Sequence, residues 1–249
     1  MMKRPPHNAE LELGLALDIE RVCAEPVLID ELLDLDDKEI LELGCGTAEK
    51  TRALATSGEG RRILALEVDE IQHALNLEID DLPNVRFERG GAEQIPAADR
   101  SFDIVFLFKS LHHVPVGSMD RALAEITRVL RPGGLAYISE PLFRGEFNEI
   151  MRIFHDESRV RREAFLAISR AVRAGRVELV SQSFIRAPLR FSNFAEFEKL
   201  VIRVTHSSHV LTEEVEARVR SKFASFENKD GVLFEQPIRV DLLRRPAGA

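Results

Sequence analysis

"ILELGCGTAEKT", residues 40–51, is the stretch whose reading decides the fold. An apolar run ends in an acid, two glycines spaced one apart follow, and helix-forming residues come next. Gly44 and Gly46 suit a point where the chain turns sharply after a strand and brings its backbone close to a ligand. Main-chain N–H groups and the positive end of the next helix then face that ligand. A dinucleotide site wants a third glycine at position 49, where the helix start packs beside a pyrophosphate. This chain has Glu49 there, a carboxylate that would repel two phosphates. A nucleotide-like ligand without that diphosphate is expected, with a plain structural turn as the alternative.

Outward from the turn, strand and helix signals alternate. "KEILEL", "RRILALEV", "NVRFER", "SFDIVFLF" and "GLAYISEPL" are short, apolar and bounded by charge, Gly or Pro, as strands covered on both faces are. In "MDRALAEITRVL" the residues Leu123, Ile126, Val129 and Leu130 recur at helical spacing, and "RPGG" stops the helix. Such alternation predicts right-handed βαβ units and an α/β, doubly wound, mostly parallel sheet. Ligands of such a sheet bind beyond the carboxyl ends of the strands, where strand order reverses.

The chain has 249 residues, 45% apolar and 31% charged, the composition of a globular protein. No apolar run nears the roughly 20 residues that span a bilayer. The start "MMKRPPHNAE" lacks the apolar segment of a secretory signal. Two cysteines, Cys23 and Cys45, make no disulfide framework, and a cytoplasmic location is expected. A net charge of −8 argues against nucleic acid or an anionic membrane as a partner. Residues 144–190 are nonetheless basic, with ten arginines against six acids. Solvated helix faces explain that run, and a local surface for an acidic substrate is its sharper reading.

With these motifs assembled, the sequence resembles the class I S-adenosylmethionine-dependent methyltransferases, especially the small-molecule (type 11) group that includes ubiquinone and menaquinone methyltransferases. "LELGCGTA" is similar to that family's first motif and "ILALEVDE" to its second. "RGGAEQIPAADRSFDIVFLFKSLHHV" is similar to the third and fourth, and "ITRVLRPGGLAYISEP" to the segment around strand five. The resemblance covers about residues 38–142 and implies a seven-stranded sheet with its last strand antiparallel, S-adenosylmethionine as cofactor, and a small-molecule substrate.

Residue by residue, the resemblance places Glu42, Gly44, Cys45, Gly46 and Thr47 around the methionine end of the cofactor, which carries no phosphate. Glu67, with Val68 beside it, ends strand two about 20 residues past the glycines, where an acid accepts hydrogen bonds from ribose hydroxyls. Asp69 reads better as a helix N-cap. "GGAEQIP" is similar to the adenine-contacting stretch, with Gly91 where the family commonly has Asp. That leaves the Ala92 N–H and Glu93 to hold the ring. Lys109, Ser110, His112 and His113 correspond to positions bordering the transferred methyl group.

Among these, His113 suits a general base, or is a hydrogen-bonded structural histidine beside Pro115. Lys109 suits an acidic group, or lays its stem on apolar surface. Glu140, at the end of strand five, is a third catalytic candidate, or a loop anchor before Pro141. His155, His206 and His209 are not spaced as a metal set, so no metal is expected.

One domain is expected over 1–249. Its core spans about 36–142, 176–191 and 231–246, with a helical cover from 1–35, 143–175 and 192–230. "LELGLALDIERVCAEPVLIDELLDL" and "FAEFEKLVIRVT" read as helices, as does "TEEVEARVRSKFASFE" with Thr212 as N-cap. "GEFNEIMRIFHDESRVRREAFLAISRAVRAG" reads as one or two helices, and Phe143, Phe147, Phe154 and Phe165 as core. "VELVSQSFIRAPLRF" and "VLFEQPIRVDLLRR" read as strands, with Pro237 suiting a bulge or edge. Competing functions are methylation of RNA or protein, cofactor binding by a non-catalytic regulatory protein, and an NAD-dependent oxidoreductase, which Glu49 disfavours.

Overall fold

The computed structural model describes residues 11–204 and 211–248. In chain order the elements are α1 (Glu25–Leu32), β1 (Glu39–Leu43), α2 (Glu49–Thr56), β2 (Arg62–Glu67), α3 (Glu70–Asn76), β3 (Val85–Arg89), β4 (Phe102–Phe108), α4 (Met119–Val129), β5 (Leu130–Pro141), α5 (Glu146–Met151), α6 (Ser158–Arg173), β6 (Glu178–Phe191), α7 (Phe194–Phe197), α8 (Glu213–Ala224) and β7 (Val232–Arg244). The strands form one sheet in the order β3-β2-β1-β4-β5-β7-β6. Pairs among β1 to β5 are parallel, and β7 runs antiparallel to both β5 and β6. This is the Rossmann-like, seven-stranded arrangement expected, with the last strand reversed.

The two-residue period of the strands sorts the core into two layers. On β4, Val105 and Leu107 join Leu41 and Leu43 of β1 beneath Leu123 and Ile126 of α4 and Ala164 and Ile168 of α6. The alternate residues Ile104 and Phe106 join Ile40, Tyr137 and Leu54 on the other face, with Leu28 of α1. Covering both faces is what lets β1 and β4 be almost wholly apolar. Helix α4 ends at Val129, but "RPGG" lies inside β5 as a bulge: Phe102 pairs with Leu130 and Ile104 with Leu135.

A third cluster carries the cover. The strands β6 and β7 continue past β5, pairing from Ile185↔Ile238 out to Phe191↔Val232. On this arm Phe191 and Phe234 meet Phe147 of α5, Phe194 and Phe197 of α7, and Phe223 of α8. The Phe191 and Phe197 rings lie edge to face with centroids 5.3 Å apart, a geometry worth about 0.5–1.5 kcal/mol beyond burial. Pro237 sits just beyond the last β5 pair, Pro141↔Ile238: its carbonyl accepts the Leu142 N–H at 2.9 Å, and Asn148 Nδ2 donates to the Leu142 carbonyl that a proline cannot serve. Thr212 caps α8, accepting from the Val215 N–H at 3.3 Å.

Three expectations are corrected. The N-terminal helix is confined to Glu25–Leu32. Ahead of it Gly14 has φ +81°, and a Cβ there would lie 2.2 Å from the Phe184 ring. The segment instead bridges β6 through the Arg186 N–H to Arg21 O, 2.8 Å, and Pro26 starts the helix. The helix from 194 is one α-turn followed by a π-turn, Glu198–Ile202. Of the four phenylalanines read as core, Phe147 is buried and Phe154 is half-buried against it. Phe143 and Phe165 are half-buried under guanidinium groups: Arg152 and Arg161 over Phe143 at 5.2 and 5.5 Å, and Arg239 over Phe165 at 4.8 Å.

Candidate functional site

Strand order reverses between β1 and β4, so the turn after β1 and the loop after β4 stand side by side. The turn is held by its neighbours. The N–H groups of Gly44 and Cys45 donate to Leu66 O at 2.9 and 3.0 Å. The buried Asn76 of α3 donates to Gly46 O at 2.8 Å. Ser110 Oγ donates to Leu43 O at 2.8 Å and joins the two loops. Gly44 has φ +73°, and a Cβ there would meet Ser110 Cβ at 2.9 Å, whereas Gly46, at φ +51°, faces open space. Ala48, which starts α2, is also left-handed at φ 60°, a conformation that costs a residue with a Cβ about 1–2 kcal/mol. Thr47 and Val68 are exposed beside the turn.

Glu67 reaches the turn from the end of β2. Its Oε2 accepts the Gly46 N–H at 2.8 Å, and its Oε1 accepts those of Val68 and Asp69 at 2.8 and 3.0 Å. A carboxylate offers about four acceptor positions, and three are engaged with the main chain. Asp69 is the N-cap read from the sequence, accepting from Ile71 and Gln72. Glu42, buried in β1, accepts from Thr51 Oγ1 at 2.7 Å, and burial pushes its pKa up to about 7. Burial likewise pushes the Cys45 thiol up. At Gly91 a Cβ would lie 2.7 Å from Glu93 Oε2. The Glu93 carboxylate thus folds back over the position that has no side chain, while Ala92 is buried.

Beyond β4, Lys109 is held left-handed at φ 54° with its N–H on Ser139 O. Its Nζ donates to Gln236 Oε1 at 3.1 Å, and burial pushes its pKa down. Next comes one 3₁₀ turn, Leu111–His113. His112 is buried and His113 exposed, with ring centroids 4.1 Å apart. Glu140, 1% exposed, lies at 2.5 Å from His112 Nδ1 and also accepts the His112 main-chain N–H at 3.3 Å. That geometry is the loop anchor, and the Glu140 carboxylate is turned to His112.

On the opposite side of His112, Nε2 lies 3.6 Å from Oε1 of Glu157, the buried residue just before α6. Burial opposes the charge on His112, but Glu140 and Glu157 outweigh it and raise its pKa to about 9. Glu157 Oε2 accepts from Arg161 Nη2 at 2.5 Å, and Arg161 Nη1 donates to Asn148 Oδ1 at 3.0 Å. His155 Nε2 stands 3.1 Å from Glu157 Oε1, whereas His206 and His209 fall outside the described residues. Most of the arginines of 144–190 are exposed, and Arg161 is buried.

Glu157, Arg161, Asn76 and Thr51 escaped the sequence reading. Thr51 leaves one signal there, a polar residue on the buried face of α2 that it shares with Leu54 and Ala55.

The family described as a methyltransferase domain matches residues 40–134. Over 102 residues the chain is 35% identical to the phthiotriol/phenolphthiotriol dimycocerosates methyltransferase of Mycobacterium tuberculosis, covering 41% of this chain and 37% of that protein. Over 109 residues it is 37% identical to an uncharacterized methyltransferase of Mycobacterium bovis, covering 44% and 42%. The match thus spans about two fifths of these curated relatives. Among solved structures, the YcgJ protein of Bacillus subtilis superposes with a TM-score of 0.60 at 16% identity, covering 89% of this chain and 97% of the other. Residues 40–134 thus match a methyltransferase domain, and the chain shares the Rossmann-like fold of the solved structure.

Proposed function

We propose that the protein binds S-adenosylmethionine at the β1 turn and transfers its methyl group in line to a small molecule. The observation that carries this reading is the Gly46 N–H to Glu67 Oε2 bond, 2.8 Å, which joins the glycine turn to the acid of β2 at the switch point. The donor set fits the cofactor's chemistry. Open space in front of Gly46 admits a ligand against the backbone. Buried Glu42 and Glu67 make the surroundings suit a cation rather than a diphosphate. Glu42, Gly44, Cys45, Gly46 and Thr47 hold the methionine end, Glu67 and Val68 the ribose side, and Gly91, Ala92 and Glu93 the adenine side, Glu93 supplying the acid missing at position 91.

Bound there, the cofactor supplies a methyl on positively charged sulfur, already activated for transfer. The chain's own work is to align the acceptor and exclude water. Lys109 and His113 border the space where the acceptor enters: the Lys109 ammonium orients an acidic group, and His113 takes a proton where the nucleophile carries one. Glu140 acts through His112 as a positioning residue. A small molecule suits the cover of α5 to α8, the net charge of −8 and a relative named for phthiotriol.

Thermal shifts with S-adenosylmethionine, S-adenosylhomocysteine and NAD test the reading. The first two raise Tm, since a ligand at 100 times its Kd stabilises by about 2.7 kcal/mol. A shift with NAD alone overturns it.

A further inference from the structure

We propose that His112 Nε2, His113 and Glu157 Oε1 form a binding site for one divalent transition-metal ion. These three residues each present a ligand atom, all within 4.8 Å of one another. Two imidazoles and a carboxylate are the donors that borderline ions such as Zn²⁺, Co²⁺ or Fe²⁺ prefer. Bonds of about 2.0–2.1 Å set the edge of a coordination tetrahedron near 3.4 Å, and His112 Nε2 already stands 3.6 Å from Glu157 Oε1. Closing the triangle asks for movement mainly of His113, the exposed member on a short loop.

A second observation is the orientation of His112. Its Nδ1 is fixed by Glu140 at 2.5 Å, which turns Nε2 toward Glu157. A carboxylate behind the distal ring nitrogen is the support that metal-bound histidines have, and it fixes the tautomer. The same economy holds at Glu157. Arg161 engages Oε2, and Asn148 holds Arg161, so Oε1 alone is offered and the carboxylate binds through one oxygen. His155, 3.1 Å from that oxygen, is close enough to brace it. Three protein ligands leave a coordination position for water or a substrate oxygen, and with an ion bound His113 is a ligand rather than a proton acceptor.

The inference does not rest on the methyltransferase reading, and its test needs no cofactor. Chelator-treated full-length protein is titrated with CoCl₂ and followed by visible absorption, then with ZnCl₂ by calorimetry. One equivalent is expected, with cobalt bands of low-coordinate intensity displaced by zinc. His113→Ala, at an exposed position, weakens binding by at least about 10- to 100-fold, the range already lost when only a residue supporting a ligand is removed. Glu157→Gln does the same where it folds, and the remote His73→Ala leaves affinity unchanged. Absence of stoichiometric binding, or wild-type affinity in His113→Ala, overturns the proposal.

Discussion

Replacing Glu42 by Gln isolates the cost of a single buried carboxyl. The residue is 1% exposed on β1, its Oε2 accepts from Thr51, and the nearby carboxylates of Glu67 and Glu25 add to the burial that raises its pKa from 4.5 to about 7. Between those values the folded chain holds a proton that the unfolded chain has lost. Stability from this group is therefore fully present below about pH 4.5, falls as pH rises toward 7, and is flat above it. The interval is about two and a half pH units, and each is 1.36 kcal/mol, so the loss is on the order of 3 kcal/mol. Gln is permanently neutral and its side-chain oxygen still accepts the Thr51 hydroxyl. Urea unfolding of both proteins at pH 5 and pH 8 gives the answer. The advantage of the variant should grow by roughly 2–3 kcal/mol between the two, part of the loss having occurred below pH 5, while groups common to both proteins cancel. A gap between the proteins that does not change with pH would refute the reasoning.

Other outcomes follow from the same geometry. Glu67→Ala removes an acceptor for three main-chain N–H groups; it should weaken S-adenosylhomocysteine binding by about 1–3 kcal/mol and lower the Tm of the free protein, and an unchanged calorimetric affinity would rule out the ribose role. Ala48→Gly relieves a left-handed alanine and should stabilise by roughly 0.5–1 kcal/mol in urea, and a loss of stability would count against the strain. Phe223→Ala opens the cluster that joins α8 to β7 and should cost about 3–5 kcal/mol, read in denaturant, and a cost below 1 kcal/mol would mean the cover packs loosely.

Much of the local structure around the candidate site was legible because it is written in local chemistry. Gly44 and Gly46 announce their positive φ, Asp69 sits where an N-cap must, and Thr212 precedes two acids at the start of α8. The three roles offered for Glu67, His113 and Lys109 rest on position alone, whereas Glu140 has a partner that no spacing hints at. The bond from Glu140 to His112 spans 28 residues, and it converts a candidate acid into a support for the neighbouring loop. The N-terminal helix failed for a related reason. Its apolar spacing is helical, but Gly14 and the bridge to Arg186 draw the chain onto β6 instead.

The sequence by itself determined the sheet and its switch point, because strand length, two-residue alternation and glycine turns act within a few residues of one another. Tertiary structure alone decided which buried charges meet. Glu157 reaches His112 from a different element, brought there by α6 packing on the core with Arg161 holding its second oxygen. Such pairings are settled by the desolvation that forbids a buried charge to stay alone. That penalty depends on where the chain has folded and leaves no period in the sequence.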